Sequence, residues 1–397
     1  MWGFPDFITM KVLIYATTLG ADLLSLTRYL QDKKGVEVRV LMKDPEKFKN
    51  ESIYKFWNLD LELYESNKLN IVKGINGFTP DVTIMDNNIP LRSLSPKALV
   101  LWHGYGWKGP NDEEEFKWIH RNIRISWGDM KAINPNIKWL CFGEGDYKHR
   151  STISGFHPKN CLVLGSASHD YLRQEVSKEV LQAYYPFDIV NKKTVLIAPT
   201  WHYGEVFSHW GDDDTLFNKM LADFQERDLN VILRLHDSYR FDHHYVEFLQ
   251  NLEVKYPNVM LKFKDINPDN FLDLQVSDLL VTNFSSIANL FYATGRPTVH
   301  IYPVKSEDEQ FMWRNKTILG IRKKKIDSVK FIWKYPPEDN GGFLAKNFEE
   351  MMHQINEGLD NPDCCKEKSE HYLKKHMLGA DGENCKRIWD SLVELVR

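Results

Sequence analysis

The sequence predicts two open, parallel-sheet α/β domains in tandem, facing each other across a cleft. Three observations predict it. Apolar, β-branched runs such as "KVLIYA", "KKTVLIAPTW" and "DLLVTNF" are continuous rather than alternating, as strands covered on both faces are. Stretches with helical spacing, such as "ADLLSLTRYLQDK" and "LFNKMLADFQERDL", separate these runs. The alternation then restarts after a polar, turn-prone segment at 183–193, so 397 residues divide into two cores rather than one.

Each element follows in order. In the first series "KVLIYA", "VEVRVLM", "DVTIMD", "ALVLWHG", "IKWLCFG" and "NCLVLGS" read as strands. The second series runs "KKTVLIAPTW" (strand), "LFNKMLADFQERDL" (helix), "NVILRLHD" (strand), "YVEFLQNLEVKYP" (helix) and "VMLKF" (strand). It continues through "FLDLQVS" (helix), "DLLVTNF" (strand), "SSIANLFYATG" (helix) and "PTVHIYP" (strand). Residues 1–188 form the first domain, with 1–9 as a tail; 189–375 form the second; 376–397 carry a helix expected to pack back on the first. In such a pair, ligands sit where the carboxyl ends of the two sheets face each other.

Composition narrows the function. A net charge of −4 argues against a nucleic-acid binder, which needs a basic footprint. Five cysteines, scattered except for Cys364-Cys365 and without a CxxC or Cys/His metal spacing, point to reduced thiols and a cytoplasmic setting. No apolar stretch approaches the ~20 residues of a membrane span. The opening "MWGFPDFIT" is too short and too poor in basic residues for a secretory signal.

Four stretches fall just past strand ends. "LVLWHGYGWKG" carries His103 and Lys108, with Gly104 and Gly106 allowing close approach of backbone to a ligand. His103 is placed to act as a base near neutral pH, or is simply satisfied by a backbone carbonyl. "APTWHYGE" brings Thr200, Trp201 and His202 to a strand end, where a tight turn is the plainer explanation. In "VILRLHD", Arg234 and His236 alternate with leucines and project to one face. That pair suits an anionic ligand, and a structural ion pair explains Arg234 nearly as well. "TNFSSIANL" places Asn283, Ser285 and Ser286 at a helix start, where unpaired N–H groups and hydroxyls make a phosphate cradle or merely a cap. As a set, these ends carry His, Arg, Lys, Thr and Ser rather than acids, the inventory for gripping a diphosphate without a metal.

The acidic run "WGDDDT" (Asp212, Asp213, Asp214) reads as helix-start charge, and "NDEEEF" as another helix start. His157, His243 and His244 lack zinc spacing. Mg²⁺ is compatible with the chemistry, but no oxygen-donor ligand cluster supports it. "IRKKKIDSVKFIWKYPP" sets Arg322, Lys323, Lys324 and Lys325 beside Phe331, Trp333 and Tyr335. It is a solvated charge run, or a means of reversible attachment to an anionic membrane.

In order and spacing, "WHGYGWK", "APTW", "RLH", "DLLVTNFSS" and "ADGENCKR" (with Asp381, Gly382 and Arg387) resemble the CDP-glycerol glycerophosphotransferase family, the teichoic-acid primases and polymerases of bacteria. The resemblance spans about the last three hundred residues and implies a GT-B fold. It implies transfer of glycerol phosphate from CDP-glycerol to a hydroxyl of a lipid-linked acceptor, with release of CMP. His103 is then the implied general base and His236 a contact to the pyrophosphate supported by Arg234. Ser285 and Ser286 hold donor phosphates, Asn283 orders their turn, and Lys108 and Thr200 complete the donor site. The chain departs from the family at Asp237, where Pro is usual, at Asn283, where Asp is usual, at "LGSASHD" in place of a Gly-Tyr-Pro-Arg-x-Asp pattern, and at Tyr105-Gly106-Trp107. CDP-ribitol as donor and a capsule acceptor fit equally well. Two other readings keep the fold: a glycosyltransferase using a CMP-sugar, and a non-catalytic binder of nucleotide or glycan.

Overall fold

The computed structural model describes residues 9–102, 104–107, 109, 111–199, 206–207, 210–235, 243–263, 267, 269–302, 310–311, 314–316, 322–324, 329–330 and 333–397. Seven strands make the first sheet: β1 (Met10–Ala16), β2 (Val36–Met42), β3 (Glu62–Glu65), β4 (Val82–Met85), β5 (Lys97–Val100), β6 (Ile137–Cys141) and β7 (Cys161–Val163). The second contains β8 (Thr194–Ile197), β9 (Asn230–Leu235), β10 (Val259–Phe263), β11 (Leu279–Thr282) and β12 (Thr298–Ile301). Two short antiparallel ribbons follow, β13 (Gln310–Phe311) with β16 (Val329–Lys330) and β14 (Arg314–Lys316) with β15 (Arg322–Lys324). The last strand, β17 (Phe343–Ala345), closes the second sheet.

Every pairing within the two large sheets is parallel, in the orders β3-β2-β1-β4-β5-β6-β7 and β10-β9-β8-β11-β12-β17. The continuous apolar runs have the burial that parallel strands require: all residues of β4, β8, β9, β11 and β12 are buried. Both sheets reverse strand order once, between β1 and β4 and between β8 and β11. These two switch points are where an open α/β sheet leaves a crevice at its carboxyl edge.

The lobes are fused by packing as well as by the chain. One apolar cluster runs from Val12 and Ile14 of β1 through Leu164 and Leu172 to Phe271, Phe284, Ile287 and Tyr292 of the second lobe. Cys385, Ile388 and Leu392 of the helix Asn384–Val396 join it, and that helix packs against the helices Ala21–Gln31 and Ala167–Leu172 of the first lobe. Among the described residues, no helix is long and apolar enough to cross a membrane.

Candidate functional site

A cleft of about 460 Å³ opens where the two carboxyl edges meet. Its lining includes Gly20 and Asp22 beyond β1, Asp86 beyond β4, and Trp102, Gly104, Tyr105 and Gly106 beyond β5. From the second lobe come Ala198 and Pro199 beyond β8, Arg234 of β9, and Phe284, Ser285 and Ser286 beyond β11. Four of the six described non-glycine residues with positive φ line it: Ala21 (45°), Trp102 (63°), Asn111 (47°) and Phe284 (61°). Backbone strain of this kind persists where surrounding packing over-determines it, and it gathers at functional sites.

The loop after β5 lies directly against the serine turn of the other lobe. Gly104 has φ +113°, and a Cβ there would stand 2.9 Å from both Cβ and Oγ of Ser286. The close approach that glycine permits is therefore made to protein, not only to ligand. Trp107 is fully buried in the second lobe, stacked on Tyr372 at 5.2 Å, with its Nε1 donating to the Asp339 carbonyl at 2.8 Å. Asn289, on the helix that follows the serines, donates from Nδ2 to the Tyr105 carbonyl.

The serines are poor caps. The helix they begin is only Ile287–Phe291, and Ser286, its N-cap, makes no capping bond with its side chain. Ser285 Oγ accepts from the Ile287 N–H at 3.5 Å, the limit of a hydrogen bond. Both hydroxyls border the cleft, whereas Asn283 is buried at the end of β11. A five-residue helix has little dipole, so anion binding here rests on hydroxyls and local N–H groups.

Arg234 borders the cleft, but its charge is answered inside the protein. It pairs with Asp273 at 2.9 Å, and its other nitrogen donates to the Asn267 carbonyl. Lys262 meets the same carboxylate at 2.5 Å and the Tyr185 hydroxyl donates to it at 2.7 Å. Burial pushes the Asp273 carboxyl upward, but Lys262 and Arg234 outweigh it and the net shift is downward. Asp269, raised to about 6 by burial, and Glu51, raised to about 7 by burial, also lie in the field of Arg234. Of the two explanations the sequence left open for Arg234, the structure displays the ion pair.

Lys334 was not singled out from the sequence, and it lines the cleft. Its Nζ donates to Asn111 Oδ1 at 2.6 Å and lies 4.5 Å from the centre of the Tyr105 ring. Burial, with Arg150 adding to it, lowers its pKa to about 7. The signal was a lysine set between aromatics in "IWKYPP". The aromatics flanking it are engaged within the protein: Trp333 packs edge-on to Phe284 at 5.2 Å and Tyr335 stacks on His376 at 4.6 Å. Both face inward, because the loop after β5 offers them a buried aromatic cluster.

The divergent "LGSASHD" is a junction. Ser166 Oγ and the Ser168 N–H donate to Asp22 at 2.5 and 2.9 Å, and His169 Nε2 donates to the Asn289 carbonyl at 2.8 Å. Asp170 accepts from the N–H groups of Asn384 and Cys385. Burial holds the His169 pKa low, so the ring is neutral there. Asp381 and Arg387 of "ADGENCKR" pair with each other at the start of the last helix. Asp212 caps the helix Asp213–Glu226, and Asp213 is buried, accepting from the Val206 and Phe207 N–H groups. These acids serve structure, and no group of three metal-ligating side chains occurs among the described residues.

His103, Lys108, Thr200, Trp201, His202, His236 and Asp237 lie outside the described residues, as do Lys325, Phe331, the side chains of Arg322, Lys323 and Lys324, and residues 1–8. The described neighbours Trp102, Gly104, Pro199 and Leu235 all line the cleft.

Two parallel sheets with switch points facing one cleft define a GT-B-type protein. Residues 147–308 match the family model described as CDP-Glycerol:Poly(glycerophosphate) glycerophosphotransferase, which bears out the resemblance read from the motifs. That match contains "APTW", "RLH" and "DLLVTNFSS" and leaves "WHGYGWK" outside. Among solved structures, a variant of the wall teichoic acid polymerase TagF aligns with a TM-score of 0.68 at 14% identity, over 98% of this chain and 90% of that one. The polymerase without that substitution aligns at 0.68 and 13%, with the same coverage. UDP-GlcNAc 2-epimerase from Neisseria meningitidis, bound to UDP-GlcNAc, aligns at 0.55 and 12%, over 97% and 100% of the two chains. At these identities the likeness establishes the fold. A comparison with curated proteins found no match.

Proposed function

We propose that the cleft transfers a polyol phosphate, glycerol phosphate first among candidates, from a CDP-activated donor to a hydroxyl of a lipid-linked wall or capsule glycan. The acceptor oxygen attacks the phosphorus bearing the polyol, the bond to the bridging oxygen breaks, and CMP leaves. His103 takes the hydroxyl proton, and His236 with Ser285 and Ser286 bears on the donor phosphates. Charge develops on the transferred phosphoryl oxygens, so fixed donors matter more than covalent chemistry. The observation that carries this reading is the contact of Gly104 with Ser286, which joins the histidine loop and the serine turn at one cleft. A structure of the TagF polymerase soaked with CDPG, 13% identical to this chain, supports CDP-glycerol as the donor.

CMP release is the test. The chain is offered CDP-glycerol, CDP-ribitol and CMP-sialic acid, each with a lipid-linked disaccharide and a glycerol-phosphate-primed acceptor. Release with a CDP-polyol is expected, and silence with both CDP-polyols would sink the reading. His103→Ala should abolish turnover, by at least ~100-fold as for loss of a general base, and leave nucleotide binding nearly intact. Side chains and N–H groups supply the counter-charge in this scheme, so EDTA should leave the rate unchanged.

Attachment to an anionic membrane belongs to the same proposal. Besides the basic run at 322–325, the helix Lys117–Ser126 exposes Trp118 and Ile125 among Lys117, Arg121 and Arg124. Exposed Leu91 adjoins it, since Asn122 and Ser126 bond the carbonyls of Ile89 and Pro90. Apolar side chains ringed by cations suit a lipid headgroup boundary. Trp118→Ser with Ile125→Ser should weaken binding to phosphatidylglycerol vesicles, and unchanged binding would refute this surface.

A further inference from the structure

Among the described residues, two cations border the cleft, and one of them, Lys334, has no carboxylate partner. Arg234 has Asp273 at 2.9 Å. Around Lys334, the described residues place no carboxylate within ion-pair distance of Nζ. Its hydrogen-bond partner is the neutral Asn111 Oδ1, and the face of Tyr105 lies beneath it. The amide of Asn111 is oriented by Glu115, whose Oε2 accepts from both Asn111 N and Nδ2 at 2.7 and 3.2 Å, so Oδ1 is the atom turned toward the lysine. The Lys334 N–H is in turn fixed on the Trp107 carbonyl at 2.7 Å, so the stem is anchored where the loop after β5 enters the second lobe. An ammonium held away from water without an anion is costly, and a ligand that brings the anion relieves the cost.

We infer that Lys334, among the described cations of this cleft, receives a substrate phosphate, a part the sequence gives to His236 with Arg234 in support. This rests on the proposed function for the identity of the substrate, but not for the presence of the phosphate site. The groups that face Lys334 are few. Arg150 and Asp146, paired at 2.9 Å and fully buried, lie behind Tyr105, and Glu115 stands beyond Asn111. Tyr105 has its pKa raised by burial and stays neutral. With its own pKa near 7, Lys334 is charged below neutrality and loses its proton above it. Phosphate binding that needs the ammonium is therefore strongest below pH 7 and weakens as pH rises. Above pH 7, binding draws a proton onto the amine.

The experiment is calorimetric titration of the full chain with CDP-glycerol from pH 6.0 to 8.5, for wild type, Lys334→Met and Lys334→Arg. The diphosphate of CDP-glycerol has no terminal phosphate to titrate in this range, and histidines common to all three proteins cancel in the ratios. Wild type should bind at least tenfold tighter than Lys334→Met at pH 6.0 and about equally at pH 8.5. Lys334→Arg should hold the tight value throughout. Wild-type binding near pH 7.5 should take up about half a proton for a tenfold advantage, read from buffers of different ionisation enthalpy, and Lys334→Met should take up less. Thermal melts of the variants separate misfolding from a binding defect.

A second arm compares KM for a glycerol-phosphate-primed acceptor with KM for an unphosphorylated one. A Lys334→Met defect confined to the primed acceptor assigns the phosphate to the acceptor rather than to the donor. Equal affinity of wild type and Lys334→Met at every pH, with both acceptors unaffected, overturns the inference, and so does a defect that is constant with pH. Binding of CDP-glycerol without CMP release would instead sink the transferase reading and leave the phosphate site standing.

Discussion

The two walls of the cleft handle positive charge in opposite ways. On the second-lobe wall, Arg234 and Lys262 converge on Asp273, which also accepts from Tyr185, so charge there is balanced before any ligand arrives. Where the second lobe meets the loop after β5, Lys334 meets an amide oxygen and a ring. Residues of one type thus do two jobs, one holding the fold and the other keeping a charge for something that enters. A buried pair is self-sufficient, whereas a half-buried cation without an anion is a binding device.

The largest expected effect breaks the balanced wall. Asp273→Ala leaves Arg234 and Lys262 buried without their carboxylate and should cost about 3–5 kcal/mol in urea unfolding. A loss below about 1 kcal/mol would show that wall to be no more self-sufficient than the other.

Next comes the contact that holds the two walls together. Gly104→Ala must place a Cβ 2.9 Å from the Ser286 side chain at φ +113°. Stability should fall by about 1–3 kcal/mol and CMP release should fall with it. An unchanged protein would mean that the loop after β5 moves off the serine turn at little cost.

The acid response probes what lies beneath the serine turn. His300 stacks on Phe284 at 4.7 Å and shares a hydrogen bond with the Tyr292 hydroxyl, and burial with the nearby Lys368 lowers its pKa to about 3. The unfolded chain binds a proton there below about pH 6.5 and the folded chain does not until about pH 3. This contribution is full above pH 6.5 and is lost on acidification between those values, by about 1.4 kcal/mol per pH unit. His300→Gln should flatten that part of the stability curve relative to wild type; parallel curves would count against a neutral, buried His300.

The smallest effect is on the hydroxyls. Ser286→Ala should weaken CDP-glycerol binding by about fivefold to tenfold, or ~1 kcal/mol for one hydrogen bond, without changing its pH dependence. A pH-dependent loss would mean that the serine acts through Lys334 rather than on the ligand directly.

Much of this molecule is legible in its residue pattern. Runs such as "TVLI" and "LLVT" have no polar face, and a strand with none must be covered on both sides, which dictates a parallel sheet between helices. The break at 183–193 separates the two series, and "FSS" sits at a switch-point edge, where open sheets bind ligands. The roles of particular side chains were harder to read. Arg234 finds Asp273 only after a helix and a strand intervene, and nothing local distinguishes a paired arginine from one awaiting a phosphate. "LGSASHD" looks like a weakened motif, yet Ser166, Ser168, His169 and Asp170 tie both lobes and the last helix together. Trp333 and Tyr335 read as surface aromatics because their neighbours in sequence are basic, while their neighbours in space are Phe284, Trp107 and His376.

The sequence alone determined the two-sheet architecture, the strand ends that meet at the cleft and the donor-rich character of its edge. Periodicity, turn residues and composition act over a few residues and survive without long-range contacts. Only the tertiary structure decided which cation is neutralised and which is kept for a ligand, and that Gly104 makes room for a serine. Charge balance and close approach depend on partners that the chain brings together from dozens to hundreds of residues away.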